Sequence, residues 1–209
     1  MILHKAVVGR GTGEITAKKS RFIADVASVE SAEEAQLFLE EIKKKYWDAR
    51  HHCYAFSVGV DRPLTRFSDD GEPGGTAGKP ILEVITGEDL RNVIIVVTRY
   101  FGGTLLGTGG LVRAYTDASK EGIVHSQVVW KIPCKKMSIQ LDYTDYGKVQ
   151  YLIAEEDATV LDTLYSDKVE IIAAFALEDA ERLCKSITDQ TGGRAALKEL
   201  GEEYIEKPL

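Results

Sequence analysis

Cysteine is scarce in this chain of 209 residues: Cys53, Cys134 and Cys184 are odd in number and widely scattered. That argues against a disulfide framework and a Cys-x-x-Cys metal site, and makes a reducing cytoplasm the expected compartment. No run of about 18 apolar residues occurs, so the sequence offers no membrane span. Residues 1–10 include Lys5 and Arg10 but no apolar stretch long enough for a signal peptide. An excess of positive charge is missing too. Against 33 Asp and Glu stand 26 Lys and Arg, a net charge of −7, which disfavours indiscriminate nucleic-acid binding. The deficit is uneven: residues 1–130 carry 16 cations and 17 anions (net −1), whereas residues 131–209 carry 10 and 16 (net −6). Any polyanion must therefore be held by a local patch in the first half. Internal repeats and low-complexity segments are absent as well.

What the chain does have is glycine in two concentrated stretches. The first is Asp69-Asp70-Gly71-Glu72-Pro73-Gly74-Gly75-Thr76-Ala77-Gly78-Lys79-Pro80, the second Gly102-Gly103-Thr104-Leu105-Leu106-Gly107-Thr108-Gly109-Gly110. The second lies between an apolar β-branched run at 93–97 and an amphipathic run at 111–124, which predicts strand, loop and helix. A helix starting there turns free N–H groups and a partial positive charge toward the loop, a setting suited to an anion.

The remaining pattern places these loops. Residues 12–29 read as extended, with Phe22, Ala24 and Val26 on one face and Lys18-Lys19-Ser20-Arg21 at a turn. Ser31 and Glu34 form a Ser-x-x-Glu capping box ahead of a helix that carries Ala35, Leu37, Phe38 and Ile42 and ends at Lys43-Lys44-Lys45. A strand is expected at 53–60, then a long loop from Asp61, a short helix at 80–86, a buried strand at 93–100 and a long helix at 111–124. After a linker near Ile132-Pro133, strands at 137–141, 159–165, 169–176 and 195–205 alternate with helices at 145–153 and 178–191. Gly192-Gly193 closes the last helix. The order β-α-β-β-α-β is that of a ferredoxin-like domain. We therefore expect an α+β protein of two domains, 1–130 and 131–209.

Gly102 and Gly107 have the spacing of a Walker A motif, but Thr108 stands where its lysine belongs. Gly107-Thr108-Gly109 begins a dinucleotide fingerprint, but Val112 replaces its third glycine. Ordinary ATPase or NAD chemistry is not expected. Two readings of the loop remain: tight packing against a strand, or phosphate binding, which Arg99 before it and Arg113 after it favour. Asp69, Asp70 and Glu72 are candidate Mg²⁺ ligands, although Asp and Gly are also ordinary turn residues. Lys79 either adds a second cation or begins the helix that Pro80 favours. In Arg50-His51-His52-Cys53, neighbours on a strand face opposite ways, so Cys53 and His52 do not share a proton, and Cys53 and His51 are about 7 Å apart. A basic patch of Arg50, His51 and the lysines at 43–45 is the more economical reading.

The motifs Arg50-His51-His52-Cys53-Tyr54-Ala55, Ser68-Asp69-Asp70-Gly71-Glu72-Pro73, Gly75-Thr76-Ala77-Gly78-Lys79-Pro80 and Thr98-Arg99-Tyr100-Phe101-Gly102-Gly103, followed by 106–115, resemble the IMPACT/YigZ family over about residues 15–125. The second half resembles the small C-terminal domain of bacterial members. The resemblance implies a first domain of the ribosomal-protein-S5 domain-2-like type and a ferredoxin-like second domain similar to those of elongation factor G. Eukaryotic relatives regulate translation by competing for the activator of a starvation-sensing kinase and use an additional N-terminal domain for related contacts. This chain starts almost directly with the shared domain, so that role is not carried over. For bacterial members it implies a nucleic-acid or ribosome-associated role. Some relatives have been labelled proline dipeptidases, but no two-metal ligand set is visible here.

The expected function is non-enzymatic, translation-associated binding of RNA or the ribosome. Arg50, His51, Lys79, Arg99 and Arg113 would hold phosphate, with backbone support from Gly102, Gly103, Gly107, Thr108, Gly109 and Gly110. Tyr100, Phe101 and Tyr115 are candidates either for stacking on a base or for the core. No resident cofactor is expected, and the acidic second domain would face a protein rather than RNA, or simply orient the first domain. The competing reading is a Mg²⁺-dependent enzyme or sensor of a small phosphorylated ligand, with Asp69, Asp70 and Glu72 gathering the metal. A pure protein-interaction module is the third.

Overall fold

The polar-free run at 93–97 becomes the central strand of a sheet covered on both faces, which is why it has no alternation. The computed structural model describes residues 1–209 as two units, Met1–Trp130 with Pro208–Leu209, and Lys131–Lys207. The first contains β1 (His4–Val8), β2 (Arg10–Ala17), β3 (Ser20–Ser28), α1 (Ala32–Lys45), β4 (His51–Val58), β5 (Leu64–Ser68), α2 (Gly78–Gly87), β6 (Leu90–Arg91), β7 (Val93–Tyr100) and α3 (Thr108–Val124). The strand β8 (Gln127–Leu141) begins in the first unit and lies mostly in the second, followed by α4 (Tyr143–Glu155), β9 (Thr159–Tyr165), β10 (Val169–Ala176), α5 (Ala180–Gln190) and β11 (Ala196–Pro208).

In the first unit the sheet order is β2-β3-β7-β4-β5, antiparallel throughout. Side chains of β7 alternate between two cores. Val93, Ile95 and Val97 join Phe22, Ile81, Leu111 and Tyr115 under α2 and α3, while Ile94 and Val96 join Phe38, Ile42 and Phe56 under α1. The capping box of α1 forms: Ser31 Oγ accepts the Glu34 N–H at 3.1 Å. Glu34 in turn accepts from the N–H of Glu30, one residue before the cap. The helix α3 lies so close to β2 that a Cβ on Gly13 would stand 2.5 Å from the backbone carbon of Glu121.

Four strands depart from the sequence reading, and one of them, β8, runs unbroken through Ile132-Pro133, where a linker was expected. The short β1 and β6 pair in parallel, and β5 occupies part of the expected long loop. β5 is a sheet edge with four exposed residues, so it has no buried face to advertise it. The helix α3 starts at Thr108, three residues before its apolar periodicity, and takes Gly109 and Gly110 into its first turn.

In the second unit β10 lies between β8 and β9, antiparallel to both, and β11 joins on β8. This is the expected ferredoxin-like order, and its core gathers Ile139, Leu141, Val149, Ile153, Ile171, Phe175, Leu183 and Ile187. Buried Asp145 is held by both arms of Arg194, at 2.8 and 2.9 Å. The C-terminus of α5 closes as expected, with Gly193 at φ +77° donating to Thr188 O at 2.9 Å. No helix is long and apolar enough to cross a membrane.

Candidate nucleic-acid interface

The register of the first sheet brings the two glycine loops together. Arg99 lies opposite His51 and Phe22, Tyr100 lies opposite Arg21, and Tyr54 lies opposite Ser68. The ends of β2, β5 and β7 and the starts of β3 and β4 therefore meet at one end of the sheet. From this end the 69–77 loop leads into α2 and the 101–107 loop into α3. The far end of α3 packs on Gly11 and Gly13 at the start of β2, so its N-terminus faces back toward the β2–β3 turn. The helix α1 also finishes here, with Lys43, Lys44 and Lys45 in its last turn. Two positively polarised helix N-termini and a lysine-rich helix end thus share one surface.

Placed residue by residue, the expected phosphate site is only partly assembled. Arg50 and Arg113 are exposed and form no ion pair, and Lys79 is exposed with only a 3.9 Å approach to Glu83. His51 Nδ1 lies 2.8 Å from Asp70 O. Among the glycines, Gly102 has a packing role: its Cβ would lie 2.1 Å from the backbone of Lys19, and its N–H donates to Ser20 Oγ at 3.1 Å. Gly103 and Gly107 take positive φ, and no atom lies within 4 Å of where their Cβ would stand. Gly107 is the N-cap of α3, and Thr108 and Gly109 open its first turn beside open space, while Gly110 rests against Leu106.

Arg99 corrects the reading of this site. Its side chain is only 7% exposed and pairs with buried Glu72 at 2.6 Å. Its guanidinium lies 5.4 Å from the Phe22 ring and 5.5 Å from the Phe101 ring, and its Nε has no partner. It is therefore a buried structural cation that cannot reach a ligand on the surface. Tyr115 is also fully buried and donates to Glu72 Oε1 at 2.8 Å, which removes it from the stacking candidates. Cys53 Sγ lies 3.3 Å from Tyr115 Oη and 3.0 Å from Asp69 O. Burial pushes both its thiol and the Tyr115 phenol far up, which leaves Cys53 a poor nucleophile.

The three carboxylates proposed as magnesium ligands do not converge on one point. Asp69 accepts the N–H groups of Gly75, Ala77 and Gly78 at 2.8–3.0 Å. Burial pushes its carboxyl up, but those donors outweigh it and hold the group below the ordinary aspartate range. Asp70 accepts the His52 N–H at 2.7 Å and faces Lys43 at 3.8 Å. Glu72 is committed to Arg99 and Tyr115. No group of three or more His, Cys, Asp or Glu side chains is placed to hold a metal ion.

The surface also contains residues the sequence reading did not assign to it. Lys18 and Lys19, both at positive φ, form the β2–β3 turn that rests on Gly102, and neither has an ion-pair partner. Trp47, beyond the end of α1, is 82% exposed. Its neighbour Asp48 accepts the Tyr100 hydroxyl at 2.7 Å, raising that phenol to about 12, which places the tryptophan beside the end of β7. Phe101, already a stacking candidate in the sequence, is 55% exposed. The one sequence signal was Lys18-Lys19 at a turn, which pointed to no partner.

The Impact N-terminal domain family model matches residues 18–123, and the domain of unknown function DUF1949 matches residues 139–194. The IMPACT family member YvyE of Bacillus subtilis is 39% identical over 199 residues, covering 95% of this chain and 92% of its own. The chain belongs to the IMPACT family. YigZ of Escherichia coli, an IMPACT family member, is 34% identical over 187 residues, covering 88% of this chain and 92% of its own. A crystal structure described as that of a hypothetical protein aligns over 94% of this chain and 97% of its own, with 33% identity and a TM-score of 0.61.

Proposed function

We propose that this IMPACT-family protein is a non-enzymatic, translation-associated RNA-binding protein that grips phosphate on RNA or the ribosome with the glycine-loop end of its first sheet. The observation that carries the reading is the gathering of unpaired Lys18, Lys19, Lys44, Arg50 and Arg113 there, beside the starts of α2 and α3, in a chain whose net charge is −7. Phosphate is the ligand such donors favour. Exposed Trp47 and Phe101 give bases a surface to stack on. Arg99 takes part only by fixing the loop from within. No nucleophile or metal cluster accompanies the patch, and the acidic loop is already occupied by its own backbone and by Arg99, so a binding role fits better than catalysis.

The test is co-sedimentation with ribosomes and subunits across a salt series, using the wild type and Lys18→Ala/Lys19→Ala/Arg113→Ala. The wild type should associate at low salt and dissociate as salt rises. The triple variant should bind at least tenfold more weakly, with a salt slope smaller by about 2, from about 0.7 per lost single-strand phosphate contact. Equal binding and equal slope would refute the patch, and no association at low salt would refute the function.

A further inference from the structure

A second surface lies in the other unit, on the edge strand β9. This strand pairs on one side only, with β10. Val160, Leu161, Leu164 and Tyr165 are all exposed, and neither proline nor lysine interrupts its seven residues. Natural sheet edges are normally blunted by such residues. A register shift opposite Ile172/Ala173 is its one irregularity. The backbone N–H of Thr163 bonds to the carboxylate of its own neighbour Asp162 at 2.8 Å.

The charge around this edge is one-sided. From Glu155 to Glu170 the chain carries six carboxylates and a single cation, Lys168. Arg182 pairs with Glu156 and Lys207 with Asp157. Glu155, Asp162 and Asp167 have no cationic partner. The opposite edge strand, β11, carries four carboxylates, and three of them are answered from within, since Lys131, Lys135 and Lys136 of β8 pair with Glu206, Glu199 and Glu203. Only at β9 do an open backbone, apolar side chains and unanswered negative charge coincide.

We propose that β9 receives an extended, Lys- or Arg-rich polypeptide segment as an added strand. Main-chain hydrogen bonds would supply the pairing, the two faces of the segment would cover Leu164 and Tyr165 respectively, and its cations would meet Asp162 and Asp167. A second copy of this chain is the poorer occupant, because it would set the same carboxylates against themselves. The proposal is independent of the RNA site.

The probe is a fluorescein-labelled eight-residue peptide alternating Lys with Val and Thr, titrated into the full chain and followed by anisotropy. The expected result is saturable binding that weakens with salt and slows amide exchange at Thr163. Replacing the peptide's lysines by serine should cost at least tenfold in affinity. So should Asp162→Lys/Asp167→Lys, and so should Thr163→Pro, which removes the N–H now held by Asp162. If circular dichroism shows Thr163→Pro unfolded, the charge-reversal pair decides. Lys18→Ala/Lys19→Ala should bind the peptide as the wild type does. The proposal is overturned if the folded edge variants bind normally or the serine peptide binds equally well. It is also overturned if sedimentation equilibrium shows a dimer that Asp162→Lys/Asp167→Lys strengthens, which would assign the edge to a second copy.

Discussion

At the residue scale the decisive group is Arg99. A guanidinium at a loop entrance reads as a ligand-binding group, yet here it lies between two aromatic rings and against Glu72. Removing one member of a buried pair leaves the other charged and dry, which is costlier than removing both. Glu72→Ala should therefore lower the stability of the first unit by about 3–5 kcal/mol, read as a drop in its urea midpoint. The double replacement Glu72→Gln/Arg99→Met should recover most of that loss. RNA binding by the folded double variant should stay close to wild type, because neither group reaches the surface. A double variant that is folded but has lost RNA binding would return Arg99 to the site.

At the element scale Asp69 acts as the cap that α2 lacks, since Ala77 at its N-cap offers no side-chain acceptor. Its three N–H donors span the 75–78 turn. Asp69→Ala should cost about 2 kcal/mol and speed amide exchange at Gly75, Ala77 and Gly78. The folded carboxyl titrates below its unfolded value, so its contribution is complete above about 3.9 and fades as the pH falls through the lower folded value. The stability gap between wild type and Asp69→Ala should thus be widest near neutral pH and shrink as the pH falls below about 4. A gap independent of pH would show that the carboxylate's charge is not what holds the turn.

The same scale explains what the sequence could reveal. α1, β9, β10 and the glycine cap of α5 announce themselves through local periodicity and caps, and β7 through an unbroken apolar run, signals that need no knowledge of neighbours. β5 does not, because an exposed edge has no apolar alternation, and β6 is two residues long. In the site, Arg50, Lys79 and Arg113 were legible as cations near the loops. The burial of Arg99 was not, since it depends on Glu72, 27 positions away. Lys18 and Lys19 could not be assigned either, because Gly102 meets Ser20 across 82 positions.

At the scale of the whole molecule, a nearly neutral first unit and a strongly acidic second one favour ligands of opposite charge. Lys18, Lys19, Lys44, Arg50 and Arg113 all lie in the first unit, and the carboxylates at β9 offer a polyanion no contact of their own. Asp162→Lys/Asp167→Lys, chosen against the peptide site, should therefore leave the salt slope of ribosome association unchanged. A steeper slope in that variant would mean that both units meet the same polyanion.

The buried Arg99–Glu72–Tyr115 network also bears on how the first unit assembles. Its partners come from β7, a loop 27 residues earlier and a helix 43 residues beyond that loop, so no local segment can form it. A carboxylate and a guanidinium shed their water only once the surrounding hydrophobic layers exclude it, which makes their closure a late event on the folding path. Weakening the network should then leave the refolding limb of the chevron nearly unchanged and raise the unfolding rate instead. In this reading the network acts as a latch: it hardly affects how fast the first unit forms and sets how long it stays formed.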